Sequence, residues 1–321
     1  MLSLQEVEDA AQVVYATMPP TAQYAWPLLA QRTGCDVWVK HENHTPIGAF
    51  KVRGGLVYMN RLKHGQPGLK GVISATRGNH GQSIAIGAAK VGIAATIVVP
   101  EGNSVEKNAA MRAFGAELVE AGHDFDSARD VAVRLADERG LTMIPSFHRD
   151  LVRGVATYAL ELFRGAPPLD AVYVPIGLGS GICGAIAMRD ALSPATKVVG
   201  VVSTEAPAYA LSFAAGKVVP TNSADTMADG MAVRGPDADA LAIILKGADR
   251  IVQVSDAEIA AAMRAYYEDT HQLTEGAGAA ALAALMQERE RMAGKRVALV
   301  LSGGNIDRPL YLRLLADRHP V

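Results

Sequence analysis

The chain has 321 residues, of which half are hydrophobic and a fifth are charged, and its formal net charge is -2. This length is typical of one or two domains that share a core, and two is our expectation. A chain so close to neutrality has no electrostatic reason to bind nucleic acid, so small molecules are the expected partners. Two cysteines, Cys35 and Cys183, are too few for a disulfide framework or a zinc site. We expect both to be free and buried.

The beginning of the chain bears on where the protein resides. Residues 1–8 are acidic and indicate the start of an amphipathic helix, without the basic flank and apolar block of a signal peptide. The longest apolar stretches, such as 94–99, are the size of a strand and far below the roughly 20 residues that span a bilayer. We therefore predict a cytoplasmic protein without a membrane segment.

Short β-branched runs alternate with alanine-rich helical segments along the chain. The expected strand and helix pairs are 72–74 with 81–91, 96–99 with 106–114, and 171–174 with 182–192. Later elements are strands at 197–202 and 250–252, a helix at 277–289 and an apolar strand at 297–301. This alternation predicts the α/β class, with open, mostly parallel sheets flanked by helices. Ligands of such sheets bind at the carboxyl ends of the strands, where several glycine-rich turns of this chain lie.

One lysine stands in an unusual context. Residues 48–54 read Gly-Ala-Phe-Lys-Val-Arg-Gly, which places Lys51 between the aromatic Phe50 and Arg53-Gly54-Gly55. A lysine beside a bulky ring in an apolar turn is partly desolvated, which lowers the pKa of its amine and frees it as a nucleophile. Pyridoxal phosphate needs such an amine to hold it as an imine. Taken alone, Lys51 would be an ordinary solvated lysine.

Three further polar motifs occur where strands are expected to end. Residues 76–82 read Thr-Arg-Gly-Asn-His-Gly-Gln, residues 177–181 read Gly-Leu-Gly-Ser-Gly, and residues 302–305 read Ser-Gly-Gly-Asn. The second motif opens an apolar helix, whose first backbone N–H groups suit a phosphate. A dinucleotide site is a weaker alternative, because Ile182 takes the third glycine position of its motif and no acidic residue ends the next strand near Val202.

Together, and in this order from about Glu42 to Asn305, these motifs resemble the threonine and serine dehydratase family of pyridoxal 5'-phosphate (PLP) enzymes. That family has the tryptophan-synthase-β-like fold, known as fold type II. The resemblance implies a large PLP-binding domain formed by residues 1–42 and 146–321, and a small domain formed by residues 43–145. The cofactor would lie in the cleft between them. A homodimer is usual in the family and is expected here.

The resemblance also implies a role for each motif. Lys51 would hold the cofactor, with Phe50 packed beside its ring, and Asn79 would donate to its phenolic oxygen. The substrate would contact the same turn, which consists of Thr76, Arg77, Gly78, Asn79 and His80. The phosphate would lie on Gly177, Leu178, Gly179, Ser180 and Gly181. Leu178 and Ser180 depart from the more frequent run of glycines, and the Ser180 hydroxyl is a further candidate donor.

Ser302 ends an apolar strand and precedes two glycines, so its hydroxyl can point into the cleft. By resemblance it bonds the pyridine nitrogen of the cofactor. A hydroxyl does not hold that nitrogen protonated, which favours loss of a β-leaving group over long-lived carbanion chemistry. Glu275 matches a glutamate near the cofactor in the family, and Asp229-Gly230 matches its Ala-Asp-Gly turn, although a helix start or a turn explains each equally well.

Arg77 stands where serine dehydratases and serine racemases commonly carry serine. In racemases that serine is the second acid or base, and a guanidinium with a pKa above about 12 is a poor substitute, so racemisation is disfavoured. Arg77 could bind a substrate carboxylate, stack on an aromatic substrate or assist a departing hydroxyl. Its structural alternative is an ion pair with an acid outside the cleft.

Many relatives hold a divalent cation beside the phosphate loop through a glutamate and an aspartate. Alignment on Gly216 and Lys217 puts Val202 and Ala208 at those places, and shifting the alignment brings in only Glu205. Because hard cations need several oxygen ligands, we expect no metal site.

These features predict a PLP-dependent dehydratase, or ammonia-lyase, that converts a 3-hydroxy-α-amino acid to a 2-oxo acid and ammonia. Lys51 and Arg77 would be its catalytic residues. Arg77 and the missing metal ligands favour a phenylserine dehydratase-like enzyme, with threonine or serine as the next substrate and 3-hydroxyaspartate third. The chain ends soon after the Ser302 motif, without the regulatory domain of biosynthetic threonine dehydratases, which predicts a role in amino-acid catabolism.

Three alternatives remain. Two are enzymes of the same fold, an amino-acid racemase and a β-replacement synthase, and the synthases carry a Gly-Thr-Gly-Gly-Thr phosphate motif that this chain lacks. The third is a non-catalytic amino-acid sensor, which should have lost the lysine. The presence of Lys51 argues against it.

Overall fold

The computed structural model describes residues 2–316. Met1, which belongs to the acidic N-terminal run, and residues 317–321 of the expected large domain lie outside the described residues. The strands are β1 (Gln23–Ala25), β2 (Asp36–His41), β3 (Val72–Ala75), β4 (Ala95–Val99), β5 (Glu117–Glu120), β6 (Thr142–Met143), β7 (Ala171–Pro175), β8 (Lys197–Ser203), β9 (Arg250–Val254) and β10 (Arg296–Leu301).

Helices cover most of the remaining chain. They are α1 (Leu4–Tyr15), α2 (Pro27–Thr33), α3 (Lys51–Gly65), α4 (Asn79–Lys90), α5 (Val105–Ala113), α6 (Phe125–Arg139), α7 (Arg149–Gly165), α8 (Ser180–Leu192), α9 (Ala208–Ala215), α10 (Ala238–Gly247), α11 (Asp256–Thr270), α12 (Gly276–Gln287), α13 (Arg289–Met292) and α14 (Arg308–Ala316). Short 3-10 turns occur at Glu42–His44 and Asp229–Met231. None of the helices between residues 2 and 316 combines the length and the apolar composition that a membrane crossing requires.

The strands form two sheets. One has the order β1-β2-β10-β7-β8-β9 and is parallel apart from the antiparallel pair β1 and β2. The other has the order β5-β4-β3-β6 and is parallel throughout. Helices cover the sheets, so that β3 and β4 are buried along their whole length. The predicted α/β class with mostly parallel sheets is confirmed.

The expected strands are present, but two helices begin earlier than their hydrophobic patterns indicate. α4 begins at Asn79 and α8 begins at Ser180, each two residues before the predicted start. Glycine precedes each helix, so polar turn residues form the first helical turn. The earlier starts matter for ligand binding, because the first N–H groups of a helix have no partner within the helix and can bond a ligand. The helix predicted at 277–289 is also divided, into α12 and α13.

Helix α3 carries Lys51 and packs against both α4 and α7. Its two consecutive glycines allow this close packing. A Cβ at Gly54 would lie 2.9 Å from the carbonyl oxygen of Leu151 in α7, and a Cβ at Gly55 would collide with Ser83 in α4. The helix therefore connects the part of the chain that contains the four-stranded sheet to the part that contains the six-stranded sheet. The domain boundaries themselves stay a prediction.

Arg53, two residues after Lys51, lies in a buried ion-pair network. Its Nε is 2.7 Å from Glu42 Oε2, and its Nη1 is 2.6 Å from Glu161 Oε1. Lys40 Nζ is 2.6 Å from the other oxygen of Glu161. The two cations and two carboxylates are all nearly inaccessible, and their charges balance, which makes their burial tolerable. This network fixes the start of α3 against β2 and α7.

The two cysteines, Cys35 and Cys183, are buried and free, as the sequence predicts.

Candidate active site

Lys51 is the first residue of α3, and Phe50 precedes it as the N-cap. The Lys51 ammonium lies 5.1 Å from the centre of the Phe50 ring. Burial lowers the pKa of the Lys51 amine, and the charge of Glu275 opposes that shift. The amine is therefore closer to its neutral, nucleophilic form than the amine of a solvated lysine is.

Phe50 connects the lysine segment to two other motifs. Its backbone N–H donates to the carbonyl of Ser302 at 3.0 Å, just after the end of β10. Its ring lies beside the glycine loop, which we define as residues 177–181, because a Cβ at Gly181 would stand 3.8 Å from the ring carbons. Ser302 is 4% exposed. Three of the four sequence motifs thus meet at the start of α3.

The glycine loop leads from β7 into α8. Gly179 is the N-cap of that helix and has a φ of 101°, in the left-handed region that favours glycine. Gly177 packs against the turn Asp229–Met231, where a Cβ would collide with the carbonyl oxygen of Gly230. Ser180 and Gly181 form the first turn of α8, whose free N–H groups suit an anion.

Both polar atoms of the Asn79 side-chain amide, Nδ2 and Oδ1, make hydrogen bonds. Its Nδ2 donates to Glu275 Oε1 at 2.6 Å, and its Oδ1 accepts a hydrogen bond from Asn305 Nδ2 at 2.7 Å. Asn305 also donates to the backbone carbonyl of Ile47. Because an amide nitrogen carries two hydrogens, Asn79 retains one with which it can donate to a ligand. This orientation suits the donor role that the resemblance implies.

Thr76 and His80 lie on either side of this asparagine. Thr76 Oγ1 accepts a hydrogen bond from the N–H of Gly78 at 3.0 Å, which fixes the turn before α4. His80 is 8% exposed. Within residues 2–316 its Nε2 has no hydrogen-bond partner. Burial and the nearby charge of Lys51 lower the pKa of the His80 imidazole to about 3, so the ring is neutral at physiological pH.

Nothing in the sequence singles out Lys107, yet it lies at the centre of the site. It belongs to α5, and its Nζ is 3.3 Å from Asp229 Oδ2 and 3.6 Å from Glu275 Oε2. Its alkyl chain fills the space beside Gly78, where a Cβ would come 2.6 Å from Lys107 Cδ. Burial raises the pKa of Glu275, and the Lys107 ammonium opposes that rise. Lys107 therefore helps Glu275 to stay charged and to hold Asn79.

Arg77 pairs with an acid that lines the cleft. Its Nη2 is 3.8 Å from Asp229 Oδ1, and the two side chains are 52% and 37% exposed. An ion pair of that length and exposure contributes little to stability. Arg77 and Lys107 face Asp229 and Glu275. Their formal charges cancel, so the group is neutral as a whole.

A cleft of about 630 Å³ lies beside these residues. Charged and amide side chains form one part of its wall, including Lys107, Asp229, Glu275 and Asn305. Apolar side chains form another part, namely Val105, Met227, Ile306, Pro309 and Leu310. The cleft is large enough for a substituent much bigger than a methyl group.

The positions at which the resemblance would place metal carboxylates are apolar and inaccessible. Val202 and Ala208 are both buried. Between residues 2 and 316, no group of three or more histidine, cysteine, aspartate or glutamate side chains could hold a metal ion. The absence of a metal requirement stays a prediction.

Comparison with known proteins identifies the family. Residues 17–303 match the family described as pyridoxal-phosphate dependent enzyme. The chain belongs to this family. An L-threonine ammonia-lyase from Thermotoga maritima is 32% identical to this chain, over 98% of this chain and 78% of its own length. An L-threo-3-hydroxyaspartate ammonia-lyase from Saccharomyces cerevisiae is 32% identical over 98% of this chain and 96% of its own length.

Solved structures of the family have the same fold. The processed form of threonine deaminase isoform 2 from Solanum lycopersicum superposes with a TM-score of 0.90 at 29% identity, covering 98% of this chain and 94% of that chain. Maize serine racemase superposes with a TM-score of 0.91 at 26% identity, covering 97% and 96% of the two chains. Fold type II and membership of the threonine and serine dehydratase family are thus confirmed.

The protein is a PLP-dependent lyase, and its residues fit that cofactor. The N-terminus of α8 offers N–H groups for the phosphate, and the Asn79 amide retains a hydrogen for the phenolic oxygen. The buried Nε2 of His80 has no hydrogen-bond partner within residues 2–316 and can therefore bond a polar ligand. The roles of Lys51, Asn79, the glycine loop and Ser302 stay predictions that this geometry supports.

Proposed function

We propose that the enzyme is an ammonia-lyase that removes water from a 3-hydroxy-α-amino acid with a neutral β-substituent larger than a methyl group. Phenylserine is the substrate of this kind that we favour. The reaction class is supported by relatives whose names specify threonine and 3-hydroxyaspartate, both of which carry a hydroxyl on the β-carbon. The choice of β-substituent depends on the charges beside Asn79.

The observation that carries the proposal is the neutrality of the group of two cations and two carboxylates that Arg77 and Lys107 form with Asp229 and Glu275. Asp229 already faces both Arg77 and Lys107. A substrate with a β-carboxylate would have to compete with Asp229 for these cations and would lie beside its negative charge. A neutral substituent meets no such repulsion, and this difference discriminates between substrates.

The size and lining of the cleft favour an aromatic substituent over a methyl group. A phenyl ring has enough apolar surface to contact Met227, Ile306 and Leu310, which line the cleft. The half-exposed guanidinium of Arg77 is planar and can stack on such a ring. Threonine offers neither contact, so we expect it to be a poorer substrate.

The cofactor, when bound, supplies an electron sink that makes the α-proton of an amino acid removable. In this proposal the neutral amine of Lys51 accepts that proton and returns a proton to the departing hydroxyl, which the lowered pKa of Lys51 supports. Asn79 orients the bound ligands, and neutral His80 adds no charge to the site. After water has left, the unsaturated amino acid tautomerises and is hydrolysed to the 2-oxo acid and ammonia.

The test is a substrate panel of serine and of the threo and erythro forms of phenylserine, threonine and 3-hydroxyaspartate. Release of the 2-oxo acid is measured for each, and kcat/KM is compared. We expect the largest value for phenylserine and the smallest for 3-hydroxyaspartate. A larger kcat/KM for 3-hydroxyaspartate than for phenylserine would overturn the charge argument. Failure of the PLP-loaded enzyme to release a 2-oxo acid from any of them would overturn the reaction class.

A further inference from the structure

Tyr209 lies beneath the glycine loop and makes two hydrogen bonds with a single hydroxyl. It belongs to α9 and is 2% exposed. Its hydroxyl donates to the backbone carbonyl of Leu178 at 2.9 Å and accepts from the backbone N–H of Asp237 at 3.1 Å. One buried phenol thus joins the middle of the glycine loop to the N-cap of α10.

The contacts around this phenol leave the loop little freedom. A Cβ at Gly179 would lie 2.8 Å from Cβ of Ala240 and 3.3 Å from the Tyr209 hydroxyl. Ala240 is itself fixed, because its N–H donates to the carboxylate of Asp237 at 3.0 Å. The loop therefore packs directly on α10 and on Tyr209, and its conformation depends on both.

The bond to Leu178 also determines the direction of an N–H group. The carbonyl of Leu178 and the N–H of Gly179 belong to one peptide unit, and every peptide between residues 2 and 316 is trans. In a planar trans peptide these two groups point in opposite directions. When Tyr209 fixes the carbonyl, it also directs the Gly179 N–H away from α9.

We propose that Tyr209 is a positioning residue for the phosphate of the cofactor. By holding the Leu178 carbonyl, it orients the Gly179 N–H towards the phosphate and keeps the loop in the conformation that starts α8. The proposal rests on the prediction that the glycine loop binds the phosphate. It concerns affinity for the cofactor and does not depend on which amino acid is the substrate.

A second buried tyrosine provides a matched control. Tyr266 is 0% exposed, and its hydroxyl has no hydrogen-bond partner within residues 2–316. Tyr209→Phe and Tyr266→Phe each remove one buried hydroxyl. Only the first breaks hydrogen bonds, and only the first acts on the glycine loop.

The experiment compares two probes, PLP and pyridoxal, which differ only in the phosphate. Each apoenzyme is titrated with both, and Kd is measured from protein fluorescence or from the absorbance of the bound ring. For Tyr209→Phe we expect Kd for PLP to rise about tenfold or more and Kd for pyridoxal to stay unchanged. Tyr266→Phe should change neither. Circular dichroism before the titration verifies that each variant is folded.

Three outcomes separate the possible failures. Equal weakening of PLP and pyridoxal by Tyr209→Phe would make Tyr209 a general structural residue, and no weakening of either would remove it from the site altogether. Equal affinity of the unmodified enzyme for PLP and pyridoxal would instead refute the phosphate role of the glycine loop. If the Tyr209→Phe apoenzyme unfolds, the dissociation rate of PLP from the holoenzyme replaces Kd, and a rate equal to that of the unmodified enzyme overturns the proposal.

Discussion

Glu275 couples two other side chains of the site, Asn79 and Lys107, because it contacts both. Its Oε1 accepts the hydrogen bond from Asn79, and its Oε2 lies 3.6 Å from the Lys107 ammonium. Burial disfavours the charged carboxylate, as its raised pKa indicates. The protonation state of Glu275 therefore depends on Lys107, and the orientation of Asn79 depends on Glu275.

We expect Lys107→Met to change the pH dependence of the enzyme. Methionine fills the space beside Gly78 without a charge, so the pKa of Glu275 rises further and its carboxyl is protonated closer to neutral pH. At pH 7 we expect kcat/KM to fall about tenfold, and raising the pH should restore it. The pH profile of kcat/KM is the measurement, with Lys90→Met at an exposed position as the control. An unchanged profile would show that Lys107 only fills space.

Arg77→Ala should lower activity without lowering stability. A charge-assisted contact from which the bound substrate excludes water is worth roughly 3 kcal/mol, so we expect kcat/KM to fall about 10². The pair with Asp229 is long and exposed, so Tm should hardly change. Lysine should rescue only in part, because it lacks the planar guanidinium.

The control for Arg77→Ala is Arg134→Ala, which breaks an exposed ion pair with Glu138, and neither of these two residues lines the cleft. Loss confined to kcat would indicate a role in the transition state, and a rise confined to KM would indicate substrate binding. Near-normal kinetics on every 3-hydroxy amino acid would make Arg77 structural. The preference for phenylserine would then lose one of its supports.

At the scale of single residues, the sequence predicts site residues that lie in recognisable motifs. It does not predict those that reach the site from distant parts of the chain. Lys51 and Asn79 were predictable because their immediate neighbours are unusual. Lys107 was not, because a lysine in a Val-Glu-Lys-Asn-Ala helix resembles any solvated lysine, and its partner Asp229 is 122 residues away. Tyr209 likewise has no local signal, since its two bonds go to distant backbone groups.

At the scale of secondary structure, the site is made by elements that begin or end where polar residues replace the apolar pattern. Hydrophobic periodicity predicts six of the ten strands within residues 2–316, and it places the starts of α4 and α8 too late because glycine, asparagine and serine open them. It misses β1, β2, β5 and β6. Of these, β2 ends in Lys40 and His41 and precedes Glu42. All three are 0% exposed, and the charges of Lys40 and Glu42 are compensated by Glu161 and Arg53.

The pair of glycines in α3 gives a prediction at this scale. We expect Gly55→Ala to destabilise the enzyme by about 1–3 kcal/mol, because the added methyl group collides with Ser83 and overpacks the contact with α4. Gly65→Ala is the matched control at the end of the same helix, where nothing lies within 4 Å of the added Cβ. Urea unfolding measures both free energies of unfolding. Equal values would mean that α3 and α4 separate easily.

At the scale of the whole molecule, two buried histidines make stability depend on pH. Burial lowers the pKa of His41 to about 4, with the stacked ring of His44 adding to the shift, and the pKa of His80 is about 3. Both rings are neutral in the folded state above those values. The unfolded chain, with ordinary histidine pKa values near 6.5, binds more protons below that pH. Stability therefore falls as the pH falls from about 6.5 towards 4.

Unfolding of the apoenzyme in urea at pH 7.5 and at pH 5.5 tests this dependence. From each buried histidine we expect a loss of about 1 kcal/mol in the free energy of unfolding between the two conditions. His41→Gln should remove its share of the loss, whereas His123→Gln, at a side chain that is 87% exposed, should not. The same loss in His41→Gln as in the unmodified enzyme would contradict the origin we assign to it.

The buried ion-pair network around Arg53 limits how the chain could be cut into separate domains. Cutting at the expected boundaries of the small domain, residues 43–145, would keep Arg53 in the fragment and leave Glu42 and Glu161 outside it. The excised piece would contain the Arg53 guanidinium without either carboxylate. In the remainder, Glu42 would lose its partner and Glu161 would keep only Lys40. The two parts thus share one electrostatic core at the start of the helix that bears Lys51. We therefore expect neither part to fold on its own, and a chimera that exchanges one part with that of a relative would have to keep the complementary charges.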